Sequence, residues 1–127
     1  MLPAARSLAY FRKIGIAADK TERWQVVPGH PGGGVRRDVF NFIDILAIFP
    51  DKIVAVQCCG ATGVSSHKQK IAAIPQAAMW LKSGGAIHMH SWKKRKKAIG
   101  RSFWQLRWLV ARLENDEIFW DEMDLTV

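Results

Sequence analysis

Residues 39–59 read VFNFIDILAIFPDKIVAVQCC. Two apolar runs flank Pro50-Asp51, a dipeptide that favours a turn. Short apolar runs that are bounded by a turn are typical of buried β-strands. This stretch therefore predicts two neighbouring buried strands, residues 39–49 and 52–59, in the middle of the chain.

Asp44 interrupts the first of these runs, although buried strands normally exclude carboxylates. Gln57 follows thirteen residues later, at a comparable depth in the second predicted strand. Two oxygen-bearing side chains at such positions can hold one hard cation such as Mg²⁺. The alternative is that Asp44 is hydrogen-bonded to the turn or to Arg36 or Arg37, with Gln57 as an edge residue.

The remaining patterns predict an alternation of helices and strands. Gly15 follows a helical pattern where a C-terminal cap is expected, and Pro75 is expected to interrupt a helix that Ser65 or Ser66 caps. The predicted elements are a helix over residues 4–14, a strand near 22–27, a glycine-rich loop over 28–34, a helix from about 66 to 82, a strand over 86–92 and a C-terminal helix over 102–117. One α/β domain of 127 residues is expected.

The net charge of +8 is unevenly distributed. All 19 Lys and Arg residues precede residue 113, together with only five acidic residues, so this part carries +14. The other six acidic residues lie between Glu114 and Asp124. Such a basic body favours a polyanionic partner, most often nucleic acid, although a solvated basic surface is the alternative.

No apolar run is long enough for a membrane span, and the first residues lack the pattern of a secretory signal. We therefore expect a soluble protein of the cytoplasm, associated with the nucleoid. The adjacent Cys58 and Cys59 lie in an apolar run and are expected to be buried, reduced thiols.

Two groups of cations are candidates for phosphate contact. Trp92 precedes five consecutive basic residues, which repel one another unless an anion is near. Arg36 and Arg37 follow the glycine-rich loop, and each can donate two hydrogen bonds to one phosphate or pair with Asp38 or Asp44 instead. The predicted nucleic-acid-binding residues are Arg36, Arg37, Lys93, Lys94, Arg95, Lys96 and Lys97.

The motif IDILA at 43–47, VQC at 56–58 and WLKSGG at 80–85 resemble the PD-(D/E)xK restriction-endonuclease-like superfamily, above all its archaeal Holliday junction resolvase branch. The resemblance covers about residues 5–97, with a C-terminal helix and acidic tail over 101–127. It implies a mixed central β-sheet flanked by helices. It also implies an Asp that ends one strand and a Glu-x-Lys on the next, where the acids bind metal.

Asp44 matches the first acid of this motif, Gln57 stands in place of the second and Cys59 in place of the lysine. The amide oxygen of Gln57 can ligate a metal without contributing charge, whereas Cys59 cannot replace a cation. Lys68 or Lys70 could supply the missing cation, and Glu22 a further carboxylate. The alternative for each is an ordinary surface residue.

These residues predict an endonuclease that acts on DNA, including branched or junction DNA, and that depends on Mg²⁺ or Mn²⁺. Asp44 and Gln57 would be the metal ligands, and Asp44, Gln57, Lys68, Lys70 and Glu22 the catalytic residues. Because resolvases engage two symmetric arms, a homodimer is expected. The alternatives are a DNA-binding module without catalysis and a partner-binding protein of a mobile element.

Overall fold

The computed structural model describes residues 1–125 and has one mixed β-sheet with helices on both faces. A 3₁₀ turn, Ala61–Gly63, precedes the second helix. The elements in chain order are α1 (Pro3–Ile14), β1 (Ala17–Lys20), β2 (Arg23–Val26), β3 (Gly34–Arg37), β4 (Ile45–Phe49), β5 (Lys52–Gly60), α2 (Val64–Ala72), α3 (Pro75–Lys82), β6 (Ala86–Lys96), β7 (Ser102–Glu114) and β8 (Glu117–Glu122).

The sheet has six strands in the order β1-β4-β5-β6-β7-β8. Its neighbouring strands are antiparallel except for β5 and β6, which are parallel and are connected through α2 and α3. A parallel pair requires such a crossover connection. Strands β2 and β3 form a separate two-stranded hairpin. The predicted α/β fold with a mixed sheet and flanking helices is therefore confirmed.

Side chains that alternate along β5 divide the core into two layers. Val54, Val56 and Cys58 pack with Phe11 of α1. Ala55 and Cys59 point to the other face, where Ile71 of α2 packs against the sheet. Both cysteines are free and buried, as predicted.

Helix boundaries lie where glycine and proline predict them. Gly15 has φ 79° and its N–H donates to the carbonyl oxygens of Arg12 and Phe11, which ends α1. Pro75 lacks an N–H, so it cannot continue α2 and begins α3 instead. The expected serine cap is wrong, because α2 begins at Val64 after the 3₁₀ turn and has no side-chain cap.

The first core strand is shorter than predicted. Residues 39–43 form a turn in which Phe40 and Asn41 have φ values of 52° and 63°, and only Ile45–Phe49 are extended. The strand expected near residue 22 is β2, but it lies outside the main sheet. The edge position is taken by β1, whose four residues are too few to give a recognisable alternation.

The predicted C-terminal helix is wrong, because residues 102–122 form the β7–β8 hairpin. Asn115 and Asp116 make its two-residue turn with φ values of 52° and 64°, a conformation that matches strand twist. Trp108 and Leu109 are buried on opposite faces of β7. A strand that is buried on both faces has a continuous apolar run, which cannot be told from a helix by periodicity.

Among residues 1–125, no helix has the length and apolar character required to cross a membrane.

Candidate functional site

Asp44 lies immediately before β4 and is anchored through its backbone. Its N–H donates to the carbonyl oxygen of Val56 at 3.0 Å, and its carbonyl oxygen accepts from the N–H of Thr21 at 3.1 Å. These two bonds connect Asp44 to β5 on one side and to the end of β1 on the other. The carboxyl group therefore has a defined position at the edge of the core.

The register of β4 and β5 brings Asp44 and Gln57 together. Ile45 pairs with Val56, so the preceding residue Asp44 lies opposite Gln57. One carboxyl oxygen of Asp44, Oδ2, accepts from Nε2 of Gln57 at 2.6 Å and from the N–H of Cys58 at 2.7 Å. Gln57 thus presents its amide nitrogen, rather than its oxygen, to the carboxylate.

A second acid, Asp38, shares this site. Burial raises the pKa of Asp44 to about 8, with further contributions in the same direction from a hydrogen bond to the Asp38 carboxyl and from its charge. The Cys58 N–H and the charge of Lys70 act in the opposite direction. Two adjacent carboxyl groups cannot both ionise easily, so Asp44 retains its proton at neutral pH.

Asp38 and Asp44 line a cavity of about 300 Å³ beneath the first turn of α1, together with Lys20, Glu22 and Cys58. Glu22 also forms an ion pair with Arg36, at 3.3 Å between Nη1 and Oε1. The structure therefore brings Glu22 to the same cavity as Asp44. The pairing of Arg36 with Glu22 differs from the expected partners Asp38 and Asp44.

The two candidate lysines differ in position. Lys70 is exposed on α2, and its charge is near enough to Asp44 to favour the ionised carboxylate. Lys68 forms no ion pair or hydrogen bond with this site among residues 1–125. Cys59, where the motif expects a lysine, packs against the α2 side of the sheet, and burial raises the pKa of its thiol. It therefore contributes no charge.

The oxygen atoms around Asp44 are of the kind that Mg²⁺ prefers. Mg²⁺ is usually held by one or two carboxylates together with water and substrate phosphate. Asp38 and Asp44 supply two carboxyl groups, and Oε1 of Gln57 is a buried oxygen without a hydrogen-bond partner. Within residues 1–125, no group of three or more His, Cys, Asp or Glu side chains is arranged to hold a metal ion. A divalent cation at this position would have to use the Asp38 and Asp44 carboxyl groups and take its remaining ligands from water or substrate, since Gln57 turns its amide nitrogen to Asp44.

Asp38 was missed as a site residue by the sequence patterns. It lies six residues before the predicted metal ligand Asp44, and the turn at Phe40 and Asn41 brings the chain back so that both acids face one cavity. The only available signal was the acidic residue itself beside the apolar run. Positive φ values at non-glycine residues are uncommon, so the turn could not be anticipated.

The basic run forms part of a projecting two-stranded arm, residues 93–105 at the tip of the β6–β7 hairpin. Every residue of the arm is exposed, although the ring of Trp104 also contacts Arg6 of α1. The register pairs Lys93 with Gln105, Lys94 with Trp104 and Arg95 with Phe103. The cations of the arm are Lys93, Lys94, Arg95, Lys96, Lys97 and Arg101.

No ion pair within residues 1–125 involves a cation of the arm. Arg95 donates instead to the neutral side chain of Gln105, at 2.7 Å. The acidic C-terminal residues pair with arginines nearer the hairpin base: Arg107 with Glu122 at 2.6 Å and Arg112 with Asp121 at 2.9 Å. The acidic residues of β8 therefore neutralise β7 and leave the charge of the arm uncompensated.

Aromatic side chains accompany these cations. The guanidinium carbon of Arg6 lies 3.5 Å from the centre of the Trp104 ring. Nζ of Lys97 lies 5.9 Å from the centre of the Phe103 ring. Half-exposed aromatic rings among cations are a common feature of surfaces that contact nucleic acid.

His88 and His90 share the face of β6 that packs against α1, and both are buried. Nδ1 of His88 accepts from Nε1 of Trp108 at 2.9 Å, and Nδ1 of His90 is hydrogen-bonded to the Ser7 hydroxyl at 2.8 Å. Burial lowers the pKa of His88 to about 4 and that of His90 to about 3. Both rings are therefore neutral parts of the core.

Comparison with protein-family models, with curated proteins and with solved structures found no match for this chain.

Proposed function

We propose that the protein binds nucleic acid, and DNA in particular, through the arm at residues 93–105. One observation carries this proposal: the six cations of the arm are exposed and none forms an ion pair within residues 1–125. Consecutive like charges repel one another, and a phosphate backbone relieves that repulsion while it releases counterions.

The arm is suited to backbone contact more than to sequence recognition. Successive side chains of a strand point to opposite faces, so Lys93 and Arg95 lie on one side of the arm and Lys94 and Lys96 on the other. A two-stranded ribbon of this kind can enter the major groove with phosphates on both sides. Lysine side chains act there as mobile point charges.

Removal of the charges tests this proposal. The variant Lys93→Gln/Lys94→Gln/Arg95→Gln/Lys96→Gln should bind duplex DNA more weakly than the unmodified protein. Each lost phosphate contact reduces the slope of log K against log salt by about 0.9, so we expect the slope to fall by about 3 to 4. Fluorescence anisotropy at several salt concentrations measures both quantities.

A variant of equal charge controls for the loss of long-range attraction. Arg12→Gln/Lys13→Gln/Lys52→Gln/Lys82→Gln removes four cations that lie outside the arm and outside the Asp44 cavity. It should change the salt slope by less than about 1. Equal losses in the two variants would show that net charge, rather than the arm, drives binding.

A second function, metal-dependent hydrolysis of phosphodiester bonds, is favoured by the Asp38–Asp44 pair. The elements of the main sheet support it as well. When the separate β2–β3 hairpin is left out, they follow the order α1, β1, β4, β5, crossover helices and β6, and the restriction-endonuclease-like resemblance implies the same succession. Asp38 and Asp44 would hold Mg²⁺ or Mn²⁺. When bound, such an ion polarises a phosphodiester and lowers the pKa of a water molecule.

The chain's own residues have separate roles in this hypothesis. The Gln57 amide and the Cys58 N–H hold the Asp44 carboxylate in one orientation. Lys70 favours the ionised form of Asp44, and Lys20 brings a further cation to the cavity for a substrate phosphate. Glu22 contributes negative charge that its pairing with Arg36 partly neutralises.

Cleavage assays test the hydrolytic function. Supercoiled, linear and four-way-junction DNA would be incubated with Mg²⁺ or Mn²⁺. Asp44→Asn and Asp38→Asn should abolish cleavage and leave binding to the arm unchanged, whereas Asp51→Asn, in the exposed β4–β5 turn, should cleave normally. Because the pKa of Asp44 is about 8 and a cation must displace its proton, activity should rise with pH up to about 8.

Two other outcomes would identify the alternatives. Salt-sensitive DNA binding without any cleavage would indicate a binding module that has lost catalysis. Tight binding to a protein, without affinity for DNA, would indicate a partner-binding protein and contradict both proposals.

Self-association extends the proposal, because a two-fold dimer would present two arms to symmetric DNA. It is supported by three apolar side chains on one face of β4 and β5, Leu46, Ile48 and Ile53, which are 38%, 57% and 44% exposed. Light scattering coupled to size-exclusion chromatography should give twice the monomer mass of 14.3 kDa. Ile48→Glu should return the protein to a monomer if this face is the interface.

A further inference from the structure

A second cavity, of about 600 Å³, lies between the β2–β3 hairpin and the junction of α2 with α3. None of its lining residues belongs to the arm or to the Asp44 cavity, and none is acidic. Its polar and aromatic lining consists of Arg23, Gln25, Arg37, Phe40, Asn41 and Gln76. No residue of the stretch 43–59, which carries the predicted metal ligands, lines this cavity.

Two arginines face each other at its wall. Arg23 pairs with Arg37 directly across the antiparallel β2–β3 ladder. Directly opposed residues have Cβ atoms about 4.5–5.5 Å apart, and like charges there destabilise a hairpin. Neither arginine forms an ion pair with a carboxylate in the part of the chain that the structure describes. Two guanidinium groups at this spacing can together bind one phosphate through several hydrogen bonds.

The neighbouring Arg36, unlike Arg23 and Arg37, is neutralised by a carboxylate. It projects from the other face of β3, is 77% exposed and forms an ion pair with Glu22. The hairpin therefore has one face on which its arginine is neutralised and one on which two arginines are not. The uncompensated face is the one that lines the cavity.

The beginning of α3 adds positive potential at the opposite wall. Pro75 and Gln76, in its first turn, line the cavity, and no side chain caps this helix. Pro75 has no N–H and the N–H of Ala77 donates to the carbonyl oxygen of Ile74, so the N–H of Gln76 and the helix dipole supply the partial positive charge that favours an anion. They reinforce the arginine pair but would not suffice as a site by themselves.

An aromatic ring and three amides complete the lining. Phe40 lines the cavity and is 49% exposed. Gln25, Asn41 and Gln76 each offer an amide donor and acceptor. An aromatic face with nearby amides has the chemistry that stacks a nucleobase and hydrogen-bonds to its edge.

We propose that this cavity binds a nucleoside phosphate, with the phosphate between Arg23 and Arg37 and the base against Phe40. Its volume is within the range of small-molecule sites. The ligand could be a free nucleotide or the terminal nucleotide of a strand, since both present a phosphate joined to a base. The proposal does not depend on the arm or on catalysis at Asp44.

Binding of adenosine monophosphate, adenosine and inorganic phosphate, measured by isothermal titration calorimetry, tests the site. The monophosphate should bind, and Arg23→Gln and Arg37→Gln should each weaken it at least tenfold. Arg36→Gln is the matched control, because Arg36 is adjacent in the chain but faces away from the cavity, and it should change affinity less than twofold. Arg37→Lys retains the positive charge but not the bidentate hydrogen-bond donor, so it should give an intermediate loss of affinity.

The role of the ring requires a variant that retains the local backbone. Phe40→Asn is suitable because asparagine tolerates the positive φ of 52° at this position. It should weaken the monophosphate at least fivefold and leave inorganic phosphate unchanged. Equal binding of both probes to this variant and to the unmodified protein would overturn the assignment of the base to Phe40.

Two oligonucleotides distinguish a free nucleotide from the end of a strand as the ligand. A short single strand with and without a 5′-phosphate would be measured in the four-Gln arm variant, so that binding by the arm does not contribute. A preference for the phosphorylated strand that disappears in Arg37→Gln supports a strand end, and a preference for the free monophosphate supports a free nucleotide. Binding of neither probe, or binding that is independent of Arg23 and Arg37, overturns the proposal.

Discussion

The base and the tip of the β6–β7 hairpin are formed by the same two strands but differ in environment. At the base, His88, His90 and Trp108 are 2%, 0% and 5% exposed beneath α1. At the tip, residues 93–105 are exposed on both faces. The base carries two histidines that burial keeps neutral, whereas the tip carries exposed lysine and arginine side chains.

This difference separates stability from binding within one hairpin. The base is a hydrogen-bonded network in which Nε1 of Trp92 donates to the Ser7 hydroxyl at 2.9 Å, and that hydroxyl is also hydrogen-bonded to Nδ1 of His90 at 2.8 Å. Buried polar groups are costly when they lose a partner, so changes there should affect unfolding. Changes at the tip should affect only the interaction with an anion. Four predictions test this division, from the largest expected effect to the smallest.

Acid should destabilise the base. Burial lowers the pKa of His88 to about 4 and of His90 to about 3, from 6.5. Above pH 6.5 both the folded and the unfolded states are neutral at these positions, but below it the unfolded state binds protons first. Stability should therefore fall from pH 6.5 towards pH 4, by roughly 3 kcal/mol for each histidine. Urea denaturation at a series of pH values measures this loss.

The raised pKa of Asp44 has the opposite effect on the pH dependence of stability. The stabilisation from its proton in the folded state is complete below pH 3.8 and is lost as pH rises through about 8. The acid experiment should therefore use the Asp44→Asn background, which removes this opposing change. Constant stability between pH 7 and pH 4.5 in that background would contradict the neutral, buried state of the histidines.

Removal of a tryptophan should destabilise the protein far more at the base of the hairpin than at its tip. Trp108→Ala leaves a cavity beneath α1 and removes the hydrogen bond to His88, so we expect a loss of about 3–5 kcal/mol. Trp104→Ala at the tip removes a ring that is 42% exposed and its contact with Arg6, at a cost of about 1 kcal/mol or less. Equal losses in chemical denaturation would mean that the tip is packed as tightly as the base.

Ser7→Ala should destabilise the protein by about 1–3 kcal/mol, because Nε1 of Trp92 and Nδ1 of His90 both lose their partner. Ser66→Ala is the matched control, since the exposed Ser66 hydroxyl donates only to the carbonyl oxygen of Gly63. That variant should stay within about 0.5 kcal/mol of the unmodified protein. A neutral effect of Ser7→Ala would show that the two nitrogen atoms find other partners.

The smallest effect on stability is expected from the arm. The four-Gln arm variant should change the free energy of unfolding by about 0.5 kcal/mol or less, while it weakens DNA binding most strongly. Thermal denaturation and anisotropy on the same samples measure the two effects. A loss of stability above about 1 kcal/mol would mean that the arm packs against the body of the protein.

The position of Asp44 opposite Gln57 was predictable because the hairpin that holds them is local. The two-residue turn at Pro50-Asp51 pairs Phe49 with Lys52, and counting back along both strands brings residues 44 and 57 together. Asp38 was not predictable, because it reaches the same cavity only through a turn at Phe40 and Asn41 with positive φ values. The opposition of Arg23 and Arg37 likewise depends on the β2–β3 register across a seven-residue loop that starts with Val27 and contains three glycines.

By itself the sequence determined the β4–β5 hairpin, the ends of helices at Gly15 and Pro75, and the segregation of charge along the chain, because each depends on neighbouring residues. Only the tertiary structure decided that residues 102–122 extend the sheet as two strands, and which titratable groups remain charged. Apolar runs are compatible with either helix or strand until packing selects one, and a pKa depends on burial by elements distant in sequence.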